Sequence, residues 1–170
     1  MKQQDRLELS DNLTGLQLQD EIRHSRVVSL DLWQLKMNKG NEAYYQHNPV
    51  VALRYFRQAS EVADNLLLLS IQQGSNPIAA LEAVSNSLRN LTEMYLRYDL
   101  PEEAINAREA FFYQLVDLTS SPSATAAPFK SDYLQAMEGE LDTLLTLYYA
   151  IGAEQNIIST AIISAQNAKF

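Results

Sequence analysis

The sequence predicts an all-α protein of about six antiparallel helices, arranged as three stacked helix hairpins. Two observations carry that expectation. From Ser29 onward apolar residues recur at every third and fourth position, the stripe of a helix that buries one face. The stripes are interrupted by helix-stop and helix-start residues at Asn48-Pro49, Gly74 to Pro77, Asp99 to Pro101 and Gly152. The composition agrees: 46% hydrophobic residues with 5 Gly and 5 Pro describe a compact, helix-permissive chain.

Each element follows from local chemistry. Residues 1–28 predict a partly ordered arm or a short helix, because Asn12 and Gly15 interrupt a pattern in which Leu16, Leu18 and Ile22 share a face. Residues 29–168 form the single domain. Ala52, Leu53, Phe56, Ala59, Ala63, Leu66 and Leu67 lie on one stripe, and Leu81, Val84, Leu88, Leu91 and Tyr95 on the next. Between them Gly74 suits a left-handed helix end, Asn76 an N-cap and Pro77 the first turn of a new helix. Glu102 and Glu103 sit at the positive end of the helix that Pro101 opens. Residues 119–131, small, polar and interrupted by Pro122 and Pro128, predict an exposed mobile loop. Two helices, Asp132 to Ile151 and Ala153 to Ala168, follow on either side of Gly152. The second is rich in isoleucine. Ile158, Ala161, Ile162 and Ala165 nevertheless fall on one helical face, and no other segment offers a partner strand.

The helices repeat. Ala52, Ala104 and Ile157 align at offsets of 52 and 53 residues, each after an aromatic residue and a helix break. Gly40, Ala52, Phe56 and Ala59, with Tyr44 one place from the aromatic position, resemble the tetratricopeptide repeat. So do Leu88, Leu91, Tyr95 and Ala104 in the second unit, and Leu141, Leu144, Tyr148 and Gly152 in the third. Arg108 stands at an aromatic position of that pattern and Phe111 at a small one, and the units are longer than the family's length of about 34 residues. The resemblance implies a right-handed array with units at about 29–75, 76–121 and 131–168, and a groove lined by the first helix of each pair.

A search for chemistry returns little. The chain has no Cys, so thiolate metal sites and Cys nucleophiles are excluded. Glu21 and His24 have the Glu-x-x-His spacing of di-iron bundles, but that site needs the motif twice. His47, next to the Asn48-Pro49 break, fits a helix C-cap whose imidazole meets the last carbonyls. The five glycines are isolated, so no phosphate cradle forms, and Gly-x-Ser-x-Gly is absent. Glu138 and Glu140, like Glu102 and Glu103, point to different faces and read as solvated or dipole-favoured acids. No enzymatic activity, metal or cofactor is expected.

What remains is surface. Arg89, Glu93 and Arg97 form a ladder one turn apart, either a solvated salt-bridge row or part of a groove. In the groove reading the lining residues are Asn41, Tyr44, Tyr45, Arg89, Glu93, Arg97, Asp142 and Tyr149, binding a protein or peptide whose carboxylates the arginines grip. A net charge of −8 makes nucleic acid and anionic membrane poor partners. No apolar run approaches the ~20 residues of a membrane span, and a cytoplasmic protein is expected. No Lys or Arg occurs between Ser131 and Ala168, so the last hairpin is acidic, either a solubilising cap or a dock for a basic partner. Ile158, Ile162 and Ala165 face outward or inward on the last helix, and the first case would allow a homodimer.

Overall fold

A computed structural model describes residues 29–120 and 122–169. Six α-helices account for most of them: α1 (Leu30–Tyr45), α2 (Pro49–Gln73), α3 (Ile78–Arg97), α4 (Pro101–Ser120), α5 (Lys130–Ile151) and α6 (Gln155–Ala168). A single 3-10 turn, Ala127–Phe129, leads into α5, and no strand occurs among the described residues. The arm expected over residues 1–28, with Glu21 and His24, lies outside the described residues.

The starts of the helices are written in side chains. Ser29 Oγ accepts from the Leu32 N–H at 3.2 Å, and Asn48 Oδ1 from the Val51 N–H at 3.3 Å. Asn76 Oδ1 accepts from the Ile78 N–H at 2.9 Å, but the N-cap position of α3 expected for Asn76 is taken by Pro77, one residue later. Pro49 and Pro101 occupy first helical positions, where no N–H is needed.

One turn closes all three hairpins. In the first, the Asn48 N–H donates to the Ala43 carbonyl and the His47 N–H to the Tyr44 carbonyl. Leu100 and Asp99 make the same pair of bonds to Tyr95 and Leu96, and Ala153 and Gly152 to Tyr148 and Tyr149. This is the Schellman pattern, which needs a left-handed residue one place past the helix. That residue is His47 (φ 58°), Asp99 (φ 58°) and Gly152 (φ 68°). The three stand at 47, 99 and 152, the 52- and 53-residue offsets of the sequence alignment. The backbone of His47, rather than its imidazole, supplies the cap.

Consecutive helices pack against each other, α4 also packs on α6, and α1 lies beside α3. Trp33 meets Ser87 and Tyr44 meets Glu93, so α1 and α3 run in the same direction. The core has two joined regions. Met37, Ala52, Phe56, Ala59, Leu91 and Ala104 fill the first, between α1, α2, the end of α3 and the start of α4. Leu67, Val84, Phe112, Leu115, Met137 and Leu144 anchor the larger second region, and Trp33 packs against both. Ile158, Ala161 and Ala165 are buried in that second region. The face offered above for a homodimer is therefore already covered from within the chain, and Ile157 and Ile163 are what α6 leaves exposed.

The expected loop at 119–131 is shorter than its composition suggests. Helix α4 runs on to Ser120 because Thr119 is buried, its hydroxyl meeting the Leu115 and Val116 carbonyls. Ala126 is fully buried, and α5 begins at Lys130, two residues before the expected Asp132. Of the described residues, only 122–126 connect α4 to the 3-10 turn. Helix α6 starts at Gln155, two residues later than expected, because Ala153 completes the Schellman turn.

Two tests follow from the backbone. A non-glycine residue in the left-handed region is strained by about 1 kcal/mol. His47→Gly is expected to raise unfolding free energy by about 0.5–1 kcal/mol in a urea titration, whereas Gly152→Ala lowers it by about 1 kcal/mol. A Cβ on Gly40 would sit 2.5 Å from the Phe56 ring, whereas one on Gly139 meets nothing within 4 Å. Gly40→Ala should thus cost about 1–3 kcal/mol by overpacking, and Gly139→Ala should stabilise α5 by about 0.5–1 kcal/mol. Thermal melts of the two variants shifting in the same direction would contradict the packing described.

Candidate functional site

The paired first helices build the site. Along the seam of α1 and α3, Trp33 Nε1 donates to Ser87 Oγ at 2.8 Å. Further along, Asn90 Nδ2 donates to Asn41 Oδ1 and the Tyr44 hydroxyl to Glu93 Oε1, both at the long distance of 3.5 Å. The Arg97 guanidinium lies 5.0 Å from the Tyr44 ring centroid, a cation–π contact of about 0.5–1 kcal/mol at an exposed position. Between these groups is a cleft of about 220 Å³ floored by Phe56 and Met94, with Asn41, Tyr44, Tyr45, Asn90 and Glu93 around it.

Four of the sequence-derived groove residues, Asn41, Tyr44, Tyr45 and Glu93, therefore line one cleft, and Arg97 joins it through Tyr44. Arg89 is exposed and does not line that cleft. Asp142 and Tyr149 are exposed on α5 and are not brought to it either. The Arg89, Glu93 and Arg97 row is not a salt-bridge ladder: among the described residues no ion pair links its members. Arg97 turns instead onto the aromatic face of Tyr44, where its planar cation meets the negative face of the ring.

Two further clefts lie at the other end of the same face. One, of about 320 Å³, separates the start of α1 from α3 and is lined by Asp31, Trp33, Gln34, Glu82 and Asn86 among others. The second, of about 350 Å³, lies between α3 and α5 and includes Glu82, Asn86, Asp132 and Gln135. Glu82 and Asn86 border both. Sequence reasoning did not connect these residues. Their signal is a carboxylate with an amide three or four positions later near the start of each first helix, a pattern too common on solvated helices to stand out.

The buried polar chemistry lies elsewhere. Arg108 Nη1 donates to Glu140 Oε2 at 2.8 Å and to Oε1 at 3.0 Å, while Arg108 Nε donates to Thr92 Oγ1 at 2.9 Å. Both ends are buried, Glu140 to 4% exposure, which corrects the expectation of a solvated acid. Burial pushes the Glu140 carboxyl above its ordinary value, against the opposing pull of Arg108. Thr92 and Arg108 stand 52 residues after Gly40 and Phe56. Where the first hairpin packs a ring on a glycine, the second sets a guanidinium on a threonine, and the cation needs a carboxylate from α5. Arg108 thereby accounts for its own departure from the aromatic pattern. On the same α4–α5 contact, the Tyr148 hydroxyl donates to Glu109, and burial followed by that bond and charge raises the phenol far above its usual range. Both contacts hold helices together, and neither presents a group to the three clefts described above.

No metal-binding group of three His, Cys, Asp or Glu side chains occurs among the described residues. Among those residues, no helix is long and apolar enough to cross a membrane. No family model, curated protein or solved structure gives a significant match to the chain.

The buried pair has a testable energetic signature. Breaking it from one side leaves an uncompensated buried charge, so Arg108→Met or Glu140→Leu alone is expected to cost about 3–5 kcal/mol in urea unfolding. The double variant Arg108→Met, Glu140→Leu should cost less than either single change. Additive losses would show that the two groups are not coupled.

Proposed function

We propose that this protein is a non-enzymatic helical scaffold that binds a protein or peptide segment on the face formed by its first helices. The observation that carries this reading is the cleft in which Asn41, Tyr44, Tyr45 and Glu93 converge between the parallel helices α1 and α3. It combines an apolar floor with exposed amide, phenol and carboxylate groups, and Arg97 is held at its edge by Tyr44. Tyrosine and arginine are the side chains that most often anchor protein interfaces.

The tetratricopeptide-like arrangement belongs to the same proposal. Three identical hairpin turns at 52- and 53-residue spacing support it, as do the close approach of Gly40 to Phe56 and the buried Ala52 and Ala104. In such an array the first helices line one surface. A second reading, self-association, is favoured by the apolar residues exposed around the turns, above all Tyr45, Val50 and Tyr149.

An array of immobilised 12-residue peptides of varied charge tests the groove. The expected outcome is a discrete set of binders for the wild type that an Arg89→Glu, Arg97→Glu variant loses by about tenfold or more, with its melting temperature unchanged. Identical binders for both proteins would overturn the assignment of that end of the groove, and an array without wild-type binders would overturn the scaffold reading. Sedimentation equilibrium addresses the second reading, since a 19.2 kDa species at high concentration contradicts self-association.

A further inference from the structure

The cleft between α1 and α3 is lined by one charged side chain, Glu93, and by no lysine or arginine. Arg97 stands four residues after Glu93 on α3, the order in which an acid and a base ordinarily pair on a helix. They do not pair. Among the described residues Glu93 is in no ion pair, and the Arg97 guanidinium lies instead 5.0 Å from the Tyr44 ring centroid. The hydrogen bond that reaches Glu93, from the Tyr44 hydroxyl, has the long distance of 3.5 Å. The Asn90 to Asn41 bond across the same cleft is equally long, so the polar rim is held apart rather than closed on itself. Tyr45 is 78% exposed, and its ring stands nearly perpendicular to that of Tyr44, at 74° with centroids 5.9 Å apart. An open carboxylate, two open amides and an open ring thus border one cleft whose floor, Phe56 and Met94, is buried.

We infer that this cleft receives a single arginine side chain of the bound protein segment. The inference rests on the scaffold reading and names the anchor that the reading leaves open. At about 220 Å³ the cleft is smaller than the roughly 300–1,000 Å³ of small-molecule pockets and fits one long side chain. Its apolar floor suits methylene groups, and its rim supplies acceptors for a cation in the Glu93 carboxylate and the Asn41 and Asn90 amide oxygens. A guanidinium has five N–H donors in one plane, so it can meet a carboxylate and an amide together while its face lies on an aromatic ring. An ammonium group has no flat face and is more strongly hydrated, so lysine fits less well. The protein's own arginines make the same choice. Arg57 and Arg97 lie 5.6 and 5.0 Å from the ring centroids of Tyr95 and Tyr44. Arg97 does not line the cleft and so leaves the place free, and because it is exposed its repulsion of a second cation is screened.

The probe is the tightest wild-type binder on the 12-residue peptide array, resynthesised with each of its arginines replaced in turn by citrulline or by lysine. Citrulline keeps the shape of the side chain and removes its charge. Each peptide is titrated into the full chain and into a Glu93→Gln variant, whose melting temperature should match the wild type because Glu93 is exposed and in no ion pair. Citrulline at one position is expected to weaken binding to the wild type about tenfold, and lysine there by severalfold. The same citrulline replacement should make little difference to binding by Glu93→Gln, because the carboxylate that the charge meets is gone. A tightest binder without arginine, lysine binding as well as arginine, or a citrulline loss of equal size in both proteins overturns the inference and leaves the scaffold reading standing. An array with no wild-type binder removes that reading and this one together.

Discussion

The Phe56 ring packs so tightly on Gly40 that a Cβ there would sit 2.5 Å from it, and much else depends on this contact. That contact sets how nearly α1 can approach α2, and so where α1 lies relative to α3. The residues 52 positions later use the same geometry with different chemistry. A threonine is too large to receive a ring at that distance, and an arginine that hydrogen-bonds to it takes the ring's place. The exchange is expensive in a core, because a buried guanidinium requires a carboxylate. Glu140 supplies it from α5 and so joins the second hairpin to the third. The hydrophobic contact works within one hairpin, whereas the ionic contact spans two.

This arrangement also explains where the acidity of the chain goes. The last hairpin carries five carboxylates and no cation between Ser131 and Ala168. Glu140 is neutralised internally by Arg108, and Glu138 pairs with Lys169 at the surface at 2.8 Å. An exposed pair of that kind contributes little to stability. Asp132 lines the cleft between α3 and α5, while Asp142 and Glu154 face solvent.

Most helix boundaries were legible in the sequence, since they depend on residues acting within one turn of the backbone. Asn48, Pro49, Gly74, Pro101 and Gly152 act locally, and the structure uses each where the sequence placed it, whereas Pro77 takes the N-cap position expected for Asn76. The 52- and 53-residue spacing was legible for the same reason. The exceptions are instructive. The small polar residues of 119–131 have weak local preferences, and burial of Thr119 and Ala126 decided how much of that stretch became helix. His47 and Asp99 take left-handed conformations that glycine would adopt more easily, and the two bonds of each hairpin turn hold them there.

The candidate site was legible in part. Asn41, Tyr44, Tyr45 and Glu93, grouped by the repeat alignment, line one cleft, while Asp142 and Tyr149 on α5 do not line it. The two clefts bordered by Glu82 and Asn86 were not legible, because their lining acids and amides look like ordinary surface residues until three helices are set side by side. By itself the sequence determined the helices and most of their breaks, which depend on hydrogen bonds and side-chain directions within a few residues. Only the tertiary structure decided that Arg108 pairs with Glu140, that Arg97 lies on Tyr44 and that Glu82 and Asn86 border two clefts. Those outcomes depend on distances between residues far apart in the chain, which local periodicity does not encode.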